Sequence, residues 1–221
     1  MVPPSAEMRL HLNHVVNALV NETKGGTPRD HIASVVDESY EEIAEHAKIE
    51  TFLPILTLRH ARSILMAQDY ASGKRLKDFT GVLVACRSNR GRSQAAAALF
   101  RFYAPGLLLV LSAGTAPAEE PRERVVTYLR EHGVELTDYP KRVRSEYIDL
   151  ADHVVILQPG VDLPLPQGTD VEFWDIPELT SQMSEEDVEA ILRDVDDHVR
   201  VTLARIQPDL DFPPSIFEAR V

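Results

Sequence analysis

Val82-Leu83-Val84-Ala85-Cys86-Arg87-Ser88-Asn89-Arg90-Gly91-Arg92-Ser93 decides how this chain folds. Its apolar run ends in Cys86, the only cysteine in 221 residues. Arg92 and Ser93 follow, and Gln94-Ala95-Ala96-Ala97-Ala98-Leu99-Phe100 has helix-forming composition. A strand, a tight loop and a helix start therefore follow one another directly, as in a cradle for an oxyanion with a nucleophile at its floor.

That chemistry needs this spacing. A tetrahedral anion is held where several backbone N–H groups converge. The loop from Cys86 to Arg92 is long enough to curl around one, with Arg87, Ser88, Asn89, Arg90, Gly91 and Arg92 as the oxyanion-binding residues. The next helix starts at Arg92, so its positive end also faces inward. Arg92 supplies a guanidinium fork for two anion oxygens. Sulfur attacks as thiolate, a form favoured by a helix N-terminus beside arginine. Ser93 is placed to donate its hydroxyl to that sulfur. A lone cysteine at a strand end is ordinarily a small buried hydrophobe. Here the strand, Asn89, Gly91, Ser93 and the Ala-rich helix all point to a site instead.

Bulk properties narrow the rest. Hydrophobic residues make up 44% and charged residues 26%, ordinary for a globular chain. The net charge of −12 argues against nucleic-acid binding, which wants a basic face. Against that acidity, Arg87, Arg90 and Arg92 form a local positive funnel for an anion. No apolar run reaches membrane-spanning length, and the N-terminal residues lack the pattern of a signal peptide. A single thiol permits no internal disulfide, and a reactive thiol kept reduced points to the cytoplasm.

Residues 1–73 have an all-helical pattern. Leu10, Leu12, Val15, Val16, Leu19 and Val20 recur at helical spacing. Gly25-Gly26-Thr27-Pro28 then opens a second helix over 29–47, and a third runs from about 52 or 56 to 70, carrying Ile55, Leu58, Ala61, Ile64 and Leu65. Its histidines, His11, His14, His31, His46 and His60, have no metal-ligand spacing and are expected exposed or half-buried, so no metal is expected. Homodimerisation, partner docking and covering of the active-site mouth all stay open for this bundle. Residues 71–78 are the linker. Beyond it strands (81–85, 107–112, 153–157, 170–174) alternate with helices (92–103, 121–132, 143–150, 184–206). The expected fold is α/β: a four-stranded parallel sheet flanked by helices, preceded by a small three-helix bundle. The anion loop then lies at the carboxyl end of a strand, where open α/β sheets place ligands. The catalytic domain is expected over 79–207, with 208–221 as a tail that packs back or stays loose.

Cys86, Asn89, Arg92 and Ser93 match the loop Cys-x-Gly-Asn-x-x-Arg-Ser, and Ser88 replaces its glycine. With Ser112-Ala113-Gly114-Thr115, Pro140-Lys141 and Ala151–Leu157, the chain from 81 to 207 resembles the low-molecular-weight tyrosine phosphatase and arsenate reductase superfamily. The helical extension resembles that of some actinobacterial arsenate reductase-like proteins.

The resemblance implies a general acid in a late Trp-x-x-Pro-Asp-Pro segment. Here that segment is Trp174-Asp175-Ile176-Pro177-Glu178-Leu179, with Glu178 at the aspartate place and Asp175 as a second candidate. Gln94 after Ser93 and the Ser112–Ala118 segment resemble the arsenate reductase branch. The further cysteines of its thioredoxin-coupled members are absent: Leu157-Gln158-Pro159-Gly160 stands there. The implied function is a single-cysteine, thiol-dependent arsenate reductase, with mycothiol or glutathione as external thiol and a redoxin as partner. A phosphatase acting on phosphotyrosine or another phosphate monoester is the alternative, with Tyr103, Tyr139 and Trp174 as candidate pocket walls. A non-catalytic oxyanion sensor is the third reading.

Overall fold

The computed structural model describes residues 4–44, 52–74 and 77–218. The chain divides into two compact units, Met1–Lys77 and Asp78–Val221.

The first unit holds α1 (Ala6–Glu22), α2 (Arg29–Ala44) and α3 (Leu53–Ala71). Ser5 caps α1, its Oγ accepting the Met8 N–H at 3.1 Å. Met8, Leu12, Val15, Val16 and Leu19 form the buried stripe of α1. Leu10 and Ile55 depart from the expected faces, at 63% and 50% exposure. Each sits two residues from buried neighbours on both sides, which turns it about 200° around the helix. Polar residues sit inside instead: Ser39, Thr57 and His60 are all buried. The expected exposure of the helix histidines therefore fails at His60, which lies 3.9 Å from the Glu42 carboxylate. His46 and the expected end of α2 at 45–47 lie outside the described residues.

The second unit is built on β1 (Thr80–Cys86), β2 (Leu108–Gly114), β3 (His153–Ile156) and β4 (Asp170–Phe173). They form one parallel sheet in the order β2-β1-β3-β4. β1 is buried from Gly81 to Cys86, as a central parallel strand covered on both faces must be. The β1–β2 ladder continues to Cys86 opposite Gly114, so β2 ends two residues later than expected. Gly81 is required by close approach: a Cβ there would lie 1.9 Å from the Leu150 carbonyl oxygen.

Four helices flank the sheet: α4 (Arg92–Tyr103), α5 (Glu123–Glu131), α6 (Ser145–Leu150) and α7 (Glu185–Ile206). α4 is buried from Arg92 through Phe100. Its four alanines, 95 to 98, fill little space, which lets the helix axis approach its neighbours closely. α7 starts with a Ser184/Asp187 capping box and adds Leu192, Val195, Val199 and Leu203 to the same core. Residues 210–217 pack back on the body. Phe212, Ile216 and Phe217 pack on that core, and Ser215 Oγ donates to the Asp196 carboxylate at 2.5 Å.

Candidate active site

Parallel strand β1 and helix α4 meet at the loop 86–91, and its geometry follows from where its carbonyls go. The carbonyl of Cys86 accepts from Thr115 N–H at 3.2 Å, Arg87 from Ala116 at 2.8 Å, Ser88 from Ala118 at 2.9 Å and Arg90 from Arg122 at 2.6 Å. A trans peptide points its N–H opposite its C=O. The N–H groups of Arg87, Ser88, Asn89 and Gly91 therefore turn to the inner side of the loop. One reaches sulfur: Asn89 N–H donates to Cys86 Sγ at 3.1 Å. Those of Arg87, Ser88 and Gly91 meet no protein acceptor among the described residues, which leaves them open to an anion.

Asn89 is the pivot. Its φ of 45° lies in the left-handed region, where asparagine is tolerated better than most residues. Its Oδ1 accepts from Lys141 N–H at 3.0 Å, so its Nδ2 is the atom facing Ser93 Oγ, also at 3.0 Å. The Ser93 hydroxyl accepts there, and its own hydrogen is free to point at Cys86 Sγ, 3.0 Å away. Ser88 has no positive φ, so serine in place of the resemblance's glycine costs the backbone nothing.

Arg92 is 7% exposed. Its Nη1 donates to the carbonyls of Leu157, at 3.1 Å, and Ile176. Nε and Nη2 carry no hydrogen bond to the protein among the described residues. Burial pushes the Arg92 guanidinium below its ordinary value, and the charges of Cys86 and Glu178 partly restore it.

The family model described as low molecular weight phosphotyrosine protein phosphatase matches residues 81–210. The chain belongs to that family. A second model, the N-terminal domain of protein-tyrosine-phosphatase-like proteins, matches residues 12–68. A thioredoxin-dependent arsenate reductase of Corynebacterium glutamicum, Cg_ArsC1', is similar over 90% of this chain and 97% of its own, with 32% identity and a TM-score of 0.77. An arsenate reductase solved in a phosphate-binding state covers 58% of this chain and 100% of its own, at 24% identity and TM-score 0.53. Vibrio vulnificus Wzb, solved with benzylphosphonate, covers 57% and 99%, at 17% identity and TM-score 0.51. The last two likenesses speak to the fold alone.

Within this phosphatase-family fold, the loop gathers Cys86, Asn89 and Ser93 into one hydrogen-bonded set, while Arg92 bonds instead to the carbonyls of Leu157 and Ile176. Arg87 lies exposed at the edge. Glu178 and Asp175 are both exposed, yet only Glu178 exerts its charge on Arg92 and Arg122. Gln94 is fully buried, and its amide has no hydrogen-bond partner among the described residues. Two expected pocket walls are not walls. Trp174 and Tyr103 are 4% and 1% exposed in the core, Trp174 against Phe100 and Tyr103 against Phe212. Among the described residues no group of three or more His, Cys, Asp or Glu is placed to hold a metal ion.

Sequence reasoning gave no role to Asp138 and none to the Lys141 backbone. The Asp138 carboxylate pairs with Lys141 Nζ and, at 3.2 Å, with Arg101, and it accepts from Ser112 Oγ at 3.1 Å. Burial pushes its carboxyl up, but Lys141 and Arg101 outweigh this and hold it at about 2. This buried cluster fixes the segment whose N–H orients Asn89. The Pro140-Lys141 pair was the available signal, but nothing in its spacing shows that the backbone acts. Gly114 was missed in the same way. A Cβ there would lie 2.5 Å from the Arg87 carbonyl oxygen, so only glycine lets β2 back the loop.

Proposed function

We propose that this protein is a thiol-dependent arsenate reductase with Cys86 as its only protein thiol in the cycle. In this reading the Cys86 thiolate attacks arsenic of arsenate. The loop amides and Arg92 hold the oxygens, and one arsenate oxygen leaves as water. The product is a Cys86–S–As(V) adduct. An external thiol then attacks arsenic and displaces Cys86, giving a free thiol–As(V) adduct. A redoxin thiolate attacks the sulfur of that adduct. A mixed disulfide forms, the S–As electron pair stays on arsenic, and arsenite leaves.

The observation that carries this reading is Cys86 as the lone cysteine, with Asn89 N–H donating to its sulfur and the Ser93 hydroxyl 3.0 Å from it. Both contacts would favour a thiolate at Cys86, and the sequence holds no second thiol to resolve its adduct. The likeness to arsenate reductases and the core positions of Trp174 and Tyr103 add support, because a phosphotyrosine pocket wants aromatic walls. Mycothiol and glutathione are the candidate thiols.

A second reading has its own observation. Glu178 is close enough to Arg92 for its charge to act there, as a general acid of phosphate-ester hydrolysis would be. Side-by-side turnover separates the two. One arm is p-nitrophenyl phosphate; the other is arsenate with thiol, redoxin and NADPH, with Cys86→Ser as control in both. Arsenate-dependent and Cys86-dependent NADPH loss is expected, with slow ester hydrolysis. Arsenite formation without thiol or redoxin would sink the scheme, and fast ester hydrolysis without an arsenate response would make the protein a phosphatase. Silence in both arms with oxyanion binding intact would make it a sensor.

A further inference from the structure

Four arginines gather along the 90–92 side of the anion loop: Arg90, Arg92, Arg122 and Arg124. Among the described residues none of them forms an ion pair with a carboxylate. Their acceptors are backbone carbonyls: Leu157 and Ile176 for Arg92, Leu179 at 2.6 Å for Arg122, and Met183 at 2.7 Å for Arg124. The side chain of Arg90 has none. In a chain with 35 acidic and 23 basic residues, such a group left without ion-pair partners is not an effect of composition.

Arg92 serves the catalytic loop, which leaves the others to explain. Arg122 N–H donates to the Arg90 carbonyl at 2.6 Å, so these two residues are locked side by side. A Cβ on Gly91 would lie 4.0 Å from Arg122 Nε, so that guanidinium abuts the loop itself. Nε of Arg90 and of Arg122 are both buried without a partner among the described residues. Burial pushes Arg122 down, and Arg90 and Arg124 push it further, while Glu178 opposes them. Arg124 also lies near enough to Asp187 to lower that carboxyl. Like charges held this close are costly unless an anion comes between them.

We propose that Arg90 and Arg122 form a second anion subsite beside the catalytic loop, which holds a carboxylate of the external thiol. This rests on the arsenate reading above. The thiol must bring its sulfur to the arsenic on Cys86, and a carboxylate anchored on the loop's rim orients it for that attack. The subsite therefore selects a carboxylate-bearing thiol of the glutathione kind over mycothiol, which has no carboxylate. A guanidinium–carboxylate pair is the charge-assisted, two-pronged contact for which arginine is suited.

The test compares glutathione, its diethyl ester and mycothiol as co-substrates of arsenate reduction, in the native protein and in Arg90→Gln and Arg122→Gln. The native KM for glutathione should be about tenfold below that for the diester, the worth of one charge-assisted bond. Either substitution should erase most of that ratio. Equal KM values for acid and ester, a lower KM for mycothiol, or variants that raise acid and ester alike would each overturn the subsite. Calorimetry with S-methylglutathione, with inorganic phosphate filling the catalytic loop, reads the subsite without any arsenic chemistry. Binding that weakens about tenfold in Arg122→Gln upholds it even if arsenate is never reduced, in which case the arsenate reading alone falls. No binding of S-methylglutathione overturns it whatever turnover shows. Among the described residues Arg90→Gln removes no hydrogen bond, and a thermal melt matching the native protein separates a lost subsite from a lost fold.

Discussion

Lys141 N–H lies 3.0 Å from Asn89 Oδ1, and this one bond turns the Asn89 amide so that its Nδ2 faces Ser93 Oγ beside Cys86. With Oδ1 taken, Nδ2 faces Ser93 Oγ, and the Ser93 hydrogen is then free to point at Cys86 Sγ, as it must when the sulfur is a thiolate. Asn89→Ala breaks that order and also puts alanine in a left-handed conformation. A hydrogen bond to a charged group contributes about 1.5–3 kcal/mol, so kcat/KM should fall by about tenfold to a hundredfold. Alkylation of Cys86 by iodoacetamide at pH 7 should slow in parallel. Unchanged alkylation in a folded variant would show that Asn89 does not act on the sulfur.

Gly114→Ala tests the backing of the loop. The added methyl meets the Arg87 carbonyl oxygen at 2.5 Å and Asn89 N at 3.1 Å, both backbone atoms of the cradle. Gly81→Ala meets backbone as well, but at Leu150, away from the loop. Overpacking of this kind costs about 1–3 kcal/mol, so both variants should lose thermal stability. Only Gly114→Ala should lose turnover out of proportion to its folded fraction. Equal specific activity of the two, each normalised to folded protein by circular dichroism, would remove Gly114 from the site.

What the sequence disclosed follows from how local each signal is. The strand–loop–helix unit lies within one continuous stretch, so α4 begins at Arg92 as expected. The alternating pattern beyond it was equally readable, and the parallel sheet follows from it. The support of the site comes from far along the chain: Lys141 reaches Asn89 across 52 positions, and Ile176 reaches Arg92 across 84. Both contacts use backbone atoms, which no side-chain pattern announces. Leu10 and Ile55 misled for another reason. They are apolar residues inside periodic segments that turn outward, while His60, Thr57 and Ser39 are polar residues that the apolar pattern does not count, yet they are buried.

Glu178 and Asp175 are separated by their electrostatics. Glu178 raises Arg92 and Arg122, an influence that Asp175 does not share. If Glu178 delivers the proton to an ester's leaving oxygen, Glu178→Gln should cut p-nitrophenyl phosphate turnover by about a hundredfold or more. Arsenate turnover should fall far less, because its leaving group is water. Asp175→Asn should change neither by more than about twofold, as expected for an exposed acid with no such role. A large drop with Asp175→Asn alone would reverse the assignment.

Two aspartates, Asp138 half-buried and Asp196 buried, should respond oppositely to neutralisation. Asp138 is held at about 2 because Lys141 and Arg101 outweigh its burial. Its depressed value stabilises the fold in full above the unfolded carboxyl value, and that stability fades as pH falls from about 4 through about 2. Asp138→Asn should therefore cost about 2 kcal/mol at pH 7, with the gap to the native protein closing in that acid window. Asp196 is pushed the other way, chiefly by burial, despite hydrogen bonds from Ser215 and Tyr103. Its raised value makes ionisation unfavourable to the fold, so this penalty is present at neutral pH and disappears on acidification. Asp196→Asn keeps an acceptor for the Tyr103 hydroxyl and removes the charge, so urea denaturation at pH 7 should show a variant at least as stable as the native chain. A loss of several kcal/mol there would mean that the carboxylate charge, and not only its hydrogen bonds, holds residues 215–216 to α7.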